Sequence, residues 1–123
     1  MTDAEKIYDF CDEMWERQII PQLTEYIKIP AKSPAFDAAW EDHGYMRAAM
    51  DLIETWVRAQ PVTGMKVERI QLPGRTPLLF IEIPGKGDDV VLMYGHMDKQ
   101  PEMVGWNVDL GAWKPLRAGD KLY

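Results

Sequence analysis

Val90-Val91-Leu92-Met93-Tyr94-Gly95-His96-Met97-Asp98 is the stretch on which the reading of this chain turns, because an unbroken apolar run ends in a glycine, a histidine and a carboxylate. Gly85-Lys86-Gly87-Asp88-Asp89 bounds it upstream with turn-forming residues. The run from Val90 to Tyr94 is too short for a lone helix and suits a strand buried on both faces. His96 then emerges at the C-terminal end of the strand, where ligands bind in open α/β sheets. If the backbone stays extended through Asp98, residues i and i+2 project to the same side. The Asp98 carboxylate can then accept from one imidazole nitrogen of His96 and leave the other for a metal.

Upstream of this stretch the pattern is helical. Thr2 with Glu5 three residues later has the form of a capping box, and Ile7, Phe10, Cys11 and Met14 follow at helical spacing, with Trp15, Ile19, Ile20, Leu23, Tyr26 and Ile27 continuing the apolar face. That face reads as core packing. Pro21 lacks an N–H and is expected to kink or break the helix near Ile20, and Ile29-Pro30 and Ser33-Pro34 end the element. A second helix, starting from Ser33 or Asp37, is expected to turn Met46, Ala49, Met50, Ile53, Trp56 and Val57 inward and to stop at Gln60-Pro61. His43 beside Glu41 and Asp42 reads as a solvated polar helix face rather than a metal cluster. From Lys66 to Leu72 and from Leu78 to Ile83 the signal is of strands, joined through Pro73-Gly74 into a hairpin. Arg69 and Glu82 interrupt these strands and place one face in solvent or the hairpin toward a sheet edge. Arg117 to Tyr123 reads as a turn around Gly119-Asp120 that carries Leu122 and Tyr123 into a new strand. Helices preceding strands in this order imply an α/β sandwich with a mixed sheet.

Composition narrows the function classes. A chain of 123 residues is expected to form one domain. A net charge of −6 with no basic cluster argues against nucleic acid as a partner. Cys11 stands alone, which excludes an internal disulfide and a multi-cysteine zinc site. The acidic N-terminus has no secretory signal pattern, and no stretch approaches the roughly 20 apolar residues of a membrane span. A cytoplasmic protein without membrane contact is the expectation.

A His-x-Asp at a strand end is a weak metal signal on its spacing alone. Its surroundings add to it. Tyr94-Gly95-His96-Met97-Asp98-Lys99-Gln100-Pro101, followed by Gly105-Trp106, Trp113-Lys114-Pro115 and Asp120-Lys121-Leu122-Tyr123, closely resembles the cocatalytic zinc metallopeptidase family of carnosine-type dipeptidases, aminoacylase and glutamate carboxypeptidases. The dipeptidase branch is the nearest. The likeness extends more weakly through Ile29-Pro30, Ser33-Pro34 and the tryptophan-bearing second helix. It implies that residues 1–123 are the N-terminal portion of a zinc-peptidase-like α/β sandwich with a mixed sheet, in which His96 is a metal ligand and Asp98 is the catalytic-site aspartate that orients it.

The same resemblance implies two zinc ions, or other divalent metals, and a small peptide or N-acyl amino acid as substrate. In the family the bridging aspartate, the other ligands, the general-base glutamate and the lid domain come after the segment matching Tyr123. The expectation is therefore a truncated, inactive opening segment of a metal-dependent amide hydrolase. The alternative is a non-catalytic interaction or structural module. An exposed sheet edge would lead to homo-oligomers. Ala112 in Leu110-Gly111-Ala112-Trp113 and the order Ala118-Gly119-Asp120 depart from the family pattern without removing a ligand. Trp106 and Trp113 are expected to pack beside the strand end rather than line a substrate cleft.

Overall fold

The computed structural model describes residues 2–123 and consists of two compact units, one running through Pro30 and joined by Glu102–Tyr123, the other Ala31–Pro101. The content is mixed α/β, with helices and two small two-stranded antiparallel sheets.

In the first unit α1 spans Asp3–Met14 and opens on the expected capping box. Glu5 N–H donates to Thr2 Oγ1 at 3.3 Å and Thr2 N–H donates to Glu5 Oε2 at 2.6 Å. Pro21 does not break the helix. A π-helical turn over Trp15–Ile19 leads into α2, Ile20–Lys28, with Pro21 in its first turn. The physical reason is local. Proline cannot donate to the carbonyl four residues back and its ring crowds that carbonyl, and the wider π turn relieves both. Ile29 is extended, with φ −86° and ψ 114°, as a residue before proline should be.

The apolar face of α1 is not core as expected. Ile7, Tyr8 and Phe10 are exposed, and among the described residues α1 buries none. Helical spacing is encoded within the helix, but burial needs an opposing surface. At the other end of this unit β3 (Arg117–Ala118) and β4 (Lys121–Leu122) form a tight hairpin through Gly119, whose φ of 64° suits glycine. Backbone bonds between Leu116 and Tyr123 extend the pairing. Leu122 and Tyr123 thus enter a strand pair of their own rather than a larger sheet. Arg117 grips both carboxylate oxygens of Glu16 at 2.7 and 2.8 Å, fastening the hairpin to the π turn.

In the second unit the expected second helix arrives in two pieces. A single turn, α3 (Trp40–His43), ends at Gly44 in the left-handed region, and α4 follows over Tyr45–Arg58. Its inner face is the one its spacing predicts: Met46, Ala49, Met50 and Val57 are buried and, with Ala31, make up the core, while Ile53 and Trp56 are half-buried. The hairpin is β1 (Lys66–Ile70) against β2 (Leu78–Glu82), with Lys66 opposite Glu82 and their side chains paired at 3.3 Å. Pro73 and Gly74, φ 66°, occupy the two central positions of the turn that Arg75 N–H closes onto the Leu72 carbonyl. Arg69 does more than mark a solvated face. It reaches Asp51 and Glu54 of α4, both at 2.5 Å, and Glu54 also pairs with Arg58 at 2.7 Å, so charge joins the hairpin to the helix.

The buried central strand expected at Val90–Tyr94 is absent. These residues belong to no strand, and Val90, Val91, Leu92, Met93 and Tyr94 are 85–89% exposed. A strand buried on both faces needs partners on both edges and covering layers, and the described residues supply neither. Among the described residues no larger sandwich is seen. The only parallel pairing among the described residues is a single bridge between Lys32 and Lys99.

Candidate functional site

His96 and Asp98 come together as their spacing predicts. Nδ1 of His96 lies 2.9 Å from Asp98 Oδ1 and 3.0 Å from the Asp98 backbone carbonyl oxygen. A carbonyl oxygen can only accept, so Nδ1 must carry the proton and donates to both oxygens. In the neutral ring Nε2 then holds the lone pair, the form in which imidazole binds a metal. The His96 side chain is 62% exposed and that of Asp98 33%.

The contact lies within three residues and needs no strand, and the residue after Asp98 is held from outside. Lys99 N–H donates to the Ala31 carbonyl at 2.8 Å, and the Lys99 carbonyl accepts from Ser33 N–H at 2.9 Å. Ala31 is fully buried. Burial also draws the Lys99 ammonium down from its usual 10.5 to about 8, since desolvation disfavours the charged amine.

A second histidine–carboxylate pair was not apparent from the sequence. His43 Nδ1 is 2.8 Å from Asp37 Oδ2, and Asp37 Oδ1 accepts from Ala39 N–H at 3.2 Å. The hydrogen bond from His43 holds the Asp37 carboxyl below its ordinary value despite opposing desolvation. Asp37 stood out as a helix start and His43 for its acidic neighbours, but the turn that joins them gave no sequence signal. Both Asp37 oxygens are engaged, so the pair reads as a staple of the turn into α3.

Among the described residues no three His, Cys, Asp or Glu side chains gather as a metal site would require. His96 alone fits one coordination position, with Asp98 fixing its tautomer. A cavity of about 560 Å³ in the second unit, lined by Trp40, Arg47, Arg69, Leu72 and Pro77 among others, includes neither residue. Trp106 is 44% exposed, against the packing expected of it, and its Nε1–H donates to the Met103 carbonyl at 2.7 Å. Trp113 is half-buried. No helix is long and apolar enough to cross a membrane among the described residues. No protein-family model matches the chain, and no curated protein matches it either.

Proposed function

We propose that this chain is the opening segment of a metal-dependent hydrolase that cleaves dipeptides or related N-acyl amino acid amide bonds, within a zinc-peptidase-like α/β sandwich. The observation that carries the reading is the doubly accepted Nδ1–H of His96, which leaves Nε2 as a metal donor. His96 would hold one zinc position and Asp98 would keep the ring in the right tautomer. A bound metal pair would polarise the scissile carbonyl and lower the pKa of the attacking water. The reading needs further ligands and a general base beyond His96 and Asp98.

The test is hydrolysis of a panel of dipeptides and N-acetyl amino acids by the protein expressed from its full open reading frame, with zinc, cobalt or manganese. His96→Ala should abolish turnover, and Asp98→Asn should lower it about 10–100-fold, the usual cost of losing a carboxylate that orients a ligand histidine. Turnover that survives His96→Ala would refute the assignment.

The 123 residues alone are expected to bind zinc weakly, because one histidine falls short of the three or four protein ligands of a normal site. Two zinc ions retained per chain in equilibrium dialysis at sub-micromolar free metal would contradict that. The alternative, a non-catalytic interaction module, is favoured by the bare apolar run at Val90–Tyr94. Binding of a partner through that run by a protein with no hydrolytic activity would support it.

A further inference from the structure

The loop that carries His96 and Asp98 has no strand of its own, yet the imidazole sits on two acceptors at once. One of them, the Asp98 carbonyl, shares a rigid peptide plane with Lys99 N–H, and in a trans peptide the two groups point in opposite directions. Lys99 N–H is fixed on the Ala31 carbonyl at 2.8 Å. That bond therefore sets the direction of the Asp98 carbonyl and aims it at Nδ1.

We propose that Ala31-Lys32-Ser33 is a positioning strap for this pair, with Ala31 as its determining residue: by clamping the Asp98–Lys99 peptide plane it aims the second acceptor which, beside the Asp98 carboxylate, holds the Nδ1–H tautomer of His96. The proposal rests on the reading of His96 as a metal ligand, because that tautomer is what a metal at Nε2 requires.

Three further observations support the strap. Ser33 N–H binds the Lys99 carbonyl at 2.9 Å, so Lys99 is held through both its backbone groups and cannot pivot about one. Pro30 and Pro34 bracket the strap in sequence, and proline stiffens both itself and the residue before it, which disfavours a helical Ser33. Ala31 is 0% exposed, so a larger side chain there must displace either the strap or its packing. Neither Ala31 nor Ser33 touches the imidazole through a side chain in the contacts described above. Their effect passes through the peptide plane.

The experiment is ¹⁵N NMR of the His96 ring in the 123-residue chain, at a pH where the ring is neutral, alongside amide-exchange protection of α4 and the β1–β2 hairpin. The parent chain should show one tautomer, protonated at Nδ1. Ala31→Leu, which adds bulk at the buried end of the strap, and Ser33→Pro, which deletes a clamp donor without adding bulk to the core, should each lower the Nδ1–H population while hairpin protection is kept. Ala31→Ser, small enough to fit, should retain that population. If Ala31→Leu does not fold, Lys99→Pro, which deletes the N–H that the Ala31 carbonyl holds, decides. An Nδ1–H population unchanged in Lys99→Pro would overturn the proposal. None of these readouts needs a metal, so failure of the hydrolase reading, seen as absent metal-dependent turnover, is distinguishable from failure of the strap.

Discussion

His96 shows how much chemistry two neighbouring residues can specify. The i, i+2 spacing brings carboxylate and imidazole together whether or not a strand forms, because the contact lies within three residues of chain. The strap that aims it was not legible, since Ala31 and Lys99 are remote in sequence and meet only through backbone atoms that any side chains would carry. Lys99 was readable only as a cation, and its altered titration depends on what surrounds it. Its folded value near 8 lies below the usual 10.5, so between those values the unfolded chain holds a proton that the folded chain has shed. Stability should therefore rise with pH across that window and be lowest below it. A ¹³C-detected titration of the lysine side chains checks the premise: Lys99 should titrate near 8, well below the other lysines, and a Lys99 midpoint at the ordinary value would show that its amine is solvated.

Among the elements, those closed by short-range chemistry were read correctly. The Thr2–Glu5 capping box, the extended Ile29 before Pro30 and the Pro73-Gly74 turn each depend on contacts within a few residues. Pro21 was expected to kink or break the helix, and the break does not occur, because a helix can absorb a proline by widening one turn. α4 is the element on which the second unit depends. Among the described residues its inner face includes four of the five buried apolar ones, and Met50 is the largest side chain fully enclosed. Met50→Ala should cost about 2–5 kcal/mol through lost burial and the cavity left behind. Denaturant unfolding followed by tryptophan fluorescence or hairpin amide exchange would measure it. A loss below about 1 kcal/mol would mean that the core collapses around the gap.

Over the molecule the main departure from expectation is the apolar run that leads to His96. Val90–Tyr94 is 85–89% exposed and uncharged, with the composition of a strand that pairs readily with another chain. The chain should therefore self-associate as concentration rises, and Leu92→Lys, placing a charge in the middle of the run, should weaken that association. Sedimentation at several concentrations decides it, and a monomer independent of concentration would show that the run is not adhesive. Caps, turns, helical faces and the His96–Asp98 contact could be read from the sequence because each is settled by sterics and hydrogen bonds between near neighbours. Whether an apolar run is buried, which backbone groups pair across the fold and how a remote alanine orients a peptide plane depend on what lies opposite in space. Periodicity and spacing carry no record of that, so α4 found its core, whereas the apolar face of α1 and the run Val90–Tyr94 remained exposed.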